Sequence, residues 1–249
     1  MWTLLHGFTG SPESYSRVVR DLGFEQRPLI PALTGHGGDW QGRAVDSFES
    51  EVSRLIALLS DAERPRLLCG YSLGARVALG MLSRAPRMFD GAVLIGLHPG
   101  LDATSARDER RALDARRARL LREEGLAAFI EEWNALPLFA SQRGLPPNLL
   151  AEQRECRLAH DSEGLARSLE VLGLAEMPNY RAATASLEVP ITLMTGSLDI
   201  KFSKMAKELT KRNVHIQAER VDGVGHNVLL EAPSVVAAAM TRVTELAPR

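Results

Sequence analysis

The stretch LLCGYSLGARVALGMLS, residues 67–83, decides the fold. Residues 67–69 are an apolar run typical of a buried strand, and residues 73–83 follow with helical periodicity. Between them, Gly70 to Gly74 matches G-x-S-x-G, in which a serine lies on a sharp strand-to-helix turn. The pattern predicts that the Ser72 hydroxyl lies at a helix N-terminus, where backbone N–H groups stabilise an anion. The alternative is an ordinary turn with a capping serine.

Strand-like and helix-like segments alternate on both sides of this stretch. Apolar runs of strand length lie at 3–5, 91–97 and 190–195, and a weaker alternating run lies at 215–221. Helical candidates lie at 11–22, 46–60, 203–212 and 233–246. Runs that are apolar throughout fit strands covered on both faces. The alternation therefore predicts a mostly parallel sheet flanked by helices, an α/β fold.

The stretch at 101–185 breaks this alternation. It contains no convincing strand, and helices are predicted at 104–124, 125–134, 146–160 and 162–173. We therefore predict a helical lid over residues 101–185, inserted between two core segments at 1–100 and 186–249.

Composition excludes several classes of protein. The chain has 249 residues, of which 45% are hydrophobic and 24% charged, and its formal net charge is −1. This balance gives no reason to expect nucleic acid or an anionic membrane as a partner. No apolar run reaches the length of a membrane span, and two cysteines make no disulfide framework, so we expect a cytoplasmic protein.

A base and an acid are expected to accompany Ser72. His226 follows the last strand run between glycines, and Asp199 follows the run at 190–195. The order Ser, Asp, His is that of a nucleophile, an orienting acid and a general base on this type of sheet. Asp222 is the rival acid, and the other candidate bases are His36, His98, His160 and His215.

The loop after the first strand, His6-Gly7-Phe8, is expected beside the turn that carries Ser72. The backbone N–H groups of Phe8 and Leu73 would then form an oxyanion hole. For His6 itself we expect a structural role beneath the loop rather than proton transfer.

Several motifs together resemble a known family. The series LHGF, GYSLGARVAL, HPGL, GSLD and GHN resembles the α/β-hydrolase superfamily along nearly the whole chain. HPGL with its arginine-rich continuation, FIEEW followed by PLFAS, and GSLDIKFSKMAKEL resemble more specifically the 2-succinyl-6-hydroxy-2,4-cyclohexadiene-1-carboxylate synthases, which eliminate pyruvate in menaquinone biosynthesis. Many α/β-hydrolases have extra strands before the first one seen here, so a sheet of about six strands is expected.

This resemblance implies a set of residues that bind a substrate with several carboxylates. Arg76 lies one helical turn after Ser72, on the same side of the helix. The resemblance adds Arg110 and Arg154 as further carboxylate ligands, with Tyr71 and Trp133 as site residues. The alternatives are an exposed Arg76, a solvated helix face around Arg110 and a Trp133 in the core of the lid.

The leading hypothesis is therefore a lyase that eliminates pyruvate from the 5-enolpyruvyl-cyclohexene intermediate of menaquinone biosynthesis. Either Ser72 or His226 takes the proton. A serine hydrolase of an ester, thioester or C–C bond is the alternative, and a binding protein without activity is the third hypothesis. The residues show neither a metal-ligand spacing nor a nucleotide motif, so no metal and no cofactor are expected.

Overall fold

The computed structural model describes residues 1–23 and 27–247. Within these residues it contains one sheet of five parallel strands that lie side by side in chain order. The strands are β1 Trp2–Leu5, β2 Leu67–Tyr71, β3 Gly91–Ile95, β4 Ile191–Gly196 and β5 Ile216–Val221. Each coincides with a predicted strand.

The expected count of about six strands is wrong for the described residues. Beyond the outer edge of β1, Leu29 forms only an isolated parallel bridge with Thr3. The Leu29 N–H donates to the Trp2 carbonyl and the Leu4 N–H donates to the Leu29 carbonyl, both at 2.9 Å. Extended chain therefore protects this edge without adding a strand.

Helices connect the strands. They are α1 Ser16–Leu22, α2 Phe48–Ala57, α3 Leu73–Arg84, α4 Thr104–Glu123, α5 Gly125–Asn134, α6 Pro147–Leu158, α7 Ser162–Leu172, α8 Arg181–Ala185, α9 Ile200–Thr210, α10 Val228–Glu231 and α11 Pro233–Leu246. Short 3-10 turns lie at Pro12–Tyr15, Trp40–Arg43, Pro86–Met88 and Pro137–Gly144. The helix predicted at 11–22 is thus a 3-10 turn followed by α1, and α9 begins three residues earlier than predicted, at Ile200.

The two faces of the sheet carry different helices. Side chains alternate between the faces along each strand. Leu68 and Leu94 pack with α2, α3 and α9, whereas Leu67 and Val93 pack with α1, α10 and α11. This double covering explains why β2 and β3 are buried along their whole length, whereas the edge strand β5 is mostly exposed or half-buried.

Helices α4 to α8 lie between β3 and β4 in the chain, within the span where the sequence predicts a lid. They have a small core of their own, in which Leu121, Phe129 and Leu165 are at most 1% exposed. Phe8, from the loop after β1, packs against this core. No described helix is both long enough and apolar enough to cross a membrane.

The turn between β2 and α3 depends on two glycines. A Cβ on Gly74 would lie 1.9 Å from the Leu5 carbonyl oxygen, and one on Gly70 would lie 2.5 Å from the Gly74 carbonyl oxygen. Both contacts are with backbone, which cannot move aside as a flexible side chain can. Only glycine therefore allows α3 to start this close to β1.

Gly74→Ala is expected to destabilise the fold. The added methyl group must displace the backbone of β1, and overpacking of this kind costs about 1–3 kcal/mol or more. Thermal unfolding measures the effect. Gly144→Ala is the control, because a Cβ on Gly144 has nothing within 4 Å. Equal melting temperatures for the two variants would contradict the packing argument.

Candidate active site

Ser72 lies on the turn between β2 and α3 with a strained backbone. Its φ is 52° and its ψ is −103°, a combination of backbone angles that residues other than glycine rarely adopt. The Ser72 N–H donates to the Ile95 carbonyl at 2.8 Å, and the Arg76 N–H donates to the Ser72 carbonyl at 3.1 Å. Such strain costs about 1–3 kcal/mol and is concentrated at functional sites. Here it presents the hydroxyl above the carboxyl ends of the strands.

Ser72, His226 and Asp199 are in contact. Nδ1 of His226 lies 2.6 Å from Oδ2 of Asp199, and Nε2 lies 3.1 Å from Oγ of Ser72. The side chains of His226 and Asp199 are 1% and 5% exposed. Because an ionised carboxylate only accepts hydrogen bonds, Nδ1 carries the hydrogen and Nε2 is free to accept from the hydroxyl. This is the geometry of a serine, a general base and its orienting acid.

Each member of the triad is positioned by its own element. Asp199 is the N-cap of α9, where its side chain accepts a hydrogen bond from the Phe202 N–H. Gly96, at the end of β3, leaves space for the imidazole, since a Cβ there would lie 2.6 Å from Cε1 of His226. The ring of Phe202 packs 4.6 Å from the ring of His226.

The rival candidates are not in this arrangement. Asp222 is exposed and makes no recorded contact with His226. His98 lines the same cavity as Ser72, but its Nδ1 accepts a hydrogen bond from the Gly100 N–H. Burial, followed by the positive charges of Lys201 and Arg76, lowers the pKa of His98 to about 3. His98 is therefore neutral at physiological pH and marks a strongly positive environment.

The loop after β1 rests on a row of buried histidines. The ring of His36 packs edge-on against the rings of His6 and His160. Nε2 of His6 accepts from the Leu33 N–H at 3.1 Å, and Nδ1 lies 2.9 Å from the Gly7 carbonyl. Both nitrogens are thus engaged, and burial lowers the pKa of His6 to about 4. This agrees with a structural role for His6.

A lid residue fixes the other side of this loop. Nδ1 of His160 accepts from the Gly37 N–H at 3.0 Å, so the hydrogen is on Nε2. That Nε2 lies 3.2 Å from the Thr9 carbonyl, which accepts it. Thr9 itself has a positive φ of 61°. The loop that presents the Phe8 N–H is therefore tied to the lid by a hydrogen bond.

The backbone N–H groups of Phe8 and Leu73 are available to a ligand. Leu73 is the first residue of α3, where N–H groups lack a partner within the helix. Among the described residues, neither N–H donates a recorded hydrogen bond. Both residues line the cavity in front of Ser72. They can thus stabilise a negative oxygen beside the hydroxyl.

That cavity has a volume of about 240 Å³ and an unusual charge. Arg76 comes from α3, Arg110 and Arg117 from α4, and Lys201 from α9. None of the described residues that line it is an aspartate or a glutamate. The rest of the wall includes apolar side chains from α5, α7 and the Pro137–Gly144 turn. The site therefore favours a ligand that carries several negative charges and also has an apolar part.

Arg76 lies in this cavity without an acidic partner among the described residues. Its Nη1 donates to the Leu172 carbonyl at 2.8 Å. Burial and, to a smaller extent, the nearby Arg110 together lower the pKa of Arg76 to about 9. A guanidinium destabilised in this way gains most from a carboxylate ligand.

The structure does not bring Arg154 to the cavity. Arg154 is exposed on α6, and the inward-facing arginine of that helix is Arg157, which is 5% exposed. Arg157 hydrogen-bonds the Asn134 side chain and lies over the Phe139 ring, 5.4 Å from its centroid. Burial lowers its pKa to about 10, and no described carboxylate pairs with it. The prediction of Arg154 as a pocket residue needs this correction.

Arg157 lines a second cavity of about 310 Å³, beside the first. Phe8, Tyr71 and Phe139 line both cavities, which therefore adjoin. Helical phase is the signal that could have found Arg157. Counted from the buried Leu149, Arg157 lies about two turns further along, whereas Arg154 falls between turns.

The other predicted site residues line the cavity with Ser72. Tyr71 is 8% exposed, and its ring centroid lies 5.5 Å from that of His226. Trp133 is half-buried, and its ring stacks on Phe129. Trp133 thus belongs both to the lid core and to the cavity wall. In the described part of the chain, no group of three or more His, Cys, Asp or Glu side chains could hold a metal ion.

Comparison with known proteins agrees with this architecture. The family model described as "Alpha/beta hydrolase family" matches residues 4–239. The chain therefore belongs to the α/β-hydrolase family. A relative from Salmonella typhimurium (strain LT2) is 33% identical over 247 residues, which cover 97% of this chain and 92% of the relative. Another, from Enterobacter sp. (strain 638), is 34% identical over 248 residues, which cover 97% and 90%.

Both relatives are named 2-succinyl-6-hydroxy-2,4-cyclohexadiene-1-carboxylate synthase. Within the α/β hydrolases, the chain belongs to the family of these synthases. A solved structure of MenH from S. aureus superposes with a TM-score of 0.93 and 26% identity, and the match covers 98% of this chain and 92% of that one. The similarity includes the lid as well as the sheet.

Ser72→Gly is expected to be more stable than Ser72→Ala by about 1 kcal/mol. Both variants lose the hydroxyl, but only glycine adopts the positive φ without a steric penalty. Denaturant unfolding of the two variants measures the difference. An alanine variant as stable as the glycine variant would show that the turn at Ser72 stores no strain.

Proposed function

We propose that this chain eliminates pyruvate from the 5-enolpyruvyl-cyclohexene intermediate of menaquinone biosynthesis, giving 2-succinyl-6-hydroxy-2,4-cyclohexadiene-1-carboxylate. The name that its relatives carry supports this reaction. The structural observation that carries the proposal is the charge of the cavity, in which Arg76, Arg110, Arg117 and Lys201 face the same space as Ser72 with no acid among the described lining residues.

The substrate accounts for these cations. It carries carboxylates on its ring, on its succinyl chain and on its enolpyruvyl group. Arginine is suited to carboxylates because its planar fork donates two parallel hydrogen bonds. We propose Arg76, Arg110 and Arg157 as carboxylate ligands, with Tyr71 and Trp133 contacting the substrate.

The reaction begins with loss of a proton from a ring carbon, and we propose that Ser72 Oγ takes it. The Ser72 side chain is partly exposed to the cavity, whereas the His226 ring behind it is almost fully buried. As Oγ accepts the proton from carbon, it passes its own proton to Nε2 of His226, 3.1 Å away. Asp199 stabilises the imidazolium that forms. General base catalysis of this kind contributes about 10²–10⁴-fold.

Electrons from the broken C–H bond then move through the ring and expel the enolate of pyruvate as the C–O bond breaks. Negative charge develops on the succinyl ketone oxygen on the way. The Phe8 and Leu73 N–H groups are placed to donate to that oxygen, and losing one such donor costs about 10²–10³-fold in rate. The proton held by the imidazolium of His226 is finally given up to the enolate, which yields pyruvate and restores the neutral imidazole. No covalent enzyme intermediate is needed.

A serine hydrolase would use the same triad, with Ser72 as a covalent nucleophile. The cavity argues against a neutral ester as substrate, because desolvated cations without acidic partners would then remain uncompensated.

We also propose the cytoplasm as the compartment. Cys69 is buried and Cys156 exposed, and the described structure contains no disulfide, which supports a reducing environment.

Purified protein is expected to release pyruvate from the enolpyruvyl intermediate and to turn over a neutral aryl ester negligibly. Pyruvate is followed with a coupled dehydrogenase. Ser72→Ala is expected to lower kcat by several orders of magnitude, since it removes the proposed base. Fast ester turnover without pyruvate release would indicate a hydrolase, and inactivity on both substrates would indicate a binding protein.

A second prediction compares the two arginines of α6, Arg154 and Arg157. Arg157→Leu is expected to lower kcat/KM by about 10–150-fold, the factor equivalent to a charge-assisted hydrogen bond of about 1.5–3 kcal/mol. Arg154→Leu removes the same charge from the exposed side of the same helix and is expected to leave kcat/KM within about twofold. Equal losses in the two variants would point to net charge rather than to a specific contact.

A further inference from the structure

We propose that Arg117, which the motifs did not single out, is a further substrate-binding residue that holds a carboxylate on the lid side of the cavity. The proposal rests on the function proposed above. Arg117 projects from α4 into the cavity that contains Ser72, and its side chain is only 11% exposed. A guanidinium this desolvated requires compensation by negative charge or hydrogen-bond acceptors.

Within the described protein, the positive charge of Arg117 is only partly compensated. Asp114 lies between Arg110 and Arg117 on α4 and is 5% exposed. Its Oδ2 accepts from Nε of Arg110 at 2.7 Å, whereas Nη1 of Arg117 lies 3.5 Å from Oδ1. Oδ1 has no hydrogen-bond partner in the described structure. One carboxylate thus serves two guanidiniums, and it binds Arg110 more closely.

Arg117 also contacts an aromatic ring. Its guanidinium carbon lies 5.1 Å from the centroid of the Trp133 ring. Phe129 stacks on the same indole, with ring centroids 5.7 Å apart, and keeps it in place. A cation–π contact leaves the N–H groups at the edge of the guanidinium plane free to donate.

An acceptor is also missing for Trp133. Its Nε1 is buried without a hydrogen-bond partner among the described residues, although Trp133 lines the same cavity. A buried indole N–H normally has a partner. A carboxylate near Arg117 would supply acceptors to both side chains. Burial and the adjacent Arg110 lower the pKa of Arg117, as expected for a cation that awaits an anion.

Arg116, the preceding residue, provides a matched control. Its side chain is 53% exposed and pairs with Glu132 at the surface, and it does not line the cavity. Removing either arginine changes the net charge and the composition of α4 equally. Only Arg117 faces the proposed ligand.

The test compares wild type, Arg117→Leu, Arg117→Lys and Arg116→Leu. Calorimetry measures the binding of tricarballylate, a tricarboxylate without a reactive group, and the pyruvate assay gives KM and kcat. Arg117→Leu is expected to weaken tricarballylate binding and to raise KM by about 10-fold or more, with kcat changed less. Arg117→Lys keeps the charge but loses the planar fork, and it is expected to fall between wild type and Arg117→Leu. Arg116→Leu is expected to match wild type.

Thermal unfolding shows whether the variants are folded, and if Arg117→Leu is not, Arg117→Lys decides alone. Wild-type affinity for tricarballylate in the Arg117 variants would overturn the proposal, as would an equal loss in Arg116→Leu or no binding to wild type. Failure of the proposed function has a different signature. Wild type would then release no pyruvate, while the Arg117 variants would still differ from Arg116→Leu in tricarballylate binding.

Discussion

The site depends on the close approach of the start of α3 to the carbonyl end of β1. Gly74 has no side chain where the Leu5 carbonyl passes, so the chain can reverse direction within a few residues. That reversal forces Ser72 into its positive φ. It also directs the Leu73 N–H and the Arg76 side chain to the same cavity as the hydroxyl. A tight backbone contact thus places the hydroxyl of Ser72, the proposed oxyanion donor Leu73 and the cation Arg76 within about one turn of chain.

A second constraint is electrostatic. Desolvated cations without acidic partners destabilise a folded protein, and the structure limits this cost by pairing Arg110 with Asp114 and by placing Arg117 on the Trp133 ring. Arg76 has no acidic partner among the described residues, and Arg157 has only the Phe139 ring and the Asn134 side chain. The free protein thereby gives up stability that a carboxylate ligand restores. The same triad in an apolar cavity would be suited to neutral esters, so under the proposed function the cations rather than the triad determine the substrate class.

Much of this could be predicted from local signals. Four of the five described strands are apolar runs, and Ser72, Asp199 and His226 follow strand ends in an order that one sheet topology explains. These motifs do not indicate which side chains of the lid helices face the cavity. Arg154 and Arg157 lie in the same helix with similar neighbours, and Arg117 is one of many arginines on α4. Helical phase counted from Leu149 separates Arg157 from Arg154, but Leu149 itself is known to be buried only from the packing of the helix. The short helices α8 and α10 were missed because a single turn has little periodicity.

The hydrogen bond from His160 to the Thr9 carbonyl has a consequence for how such enzymes diversify. The lid is a single insertion between β3 and β4, which suggests a part that could be exchanged for another. Yet one of its side chains sets the position of a core loop that carries a proposed oxyanion donor. A chimera with a foreign insertion would inherit an intact triad but a misplaced donor. Exchange of the insertion is therefore coupled to the position of this loop through the contact between His160 and Thr9.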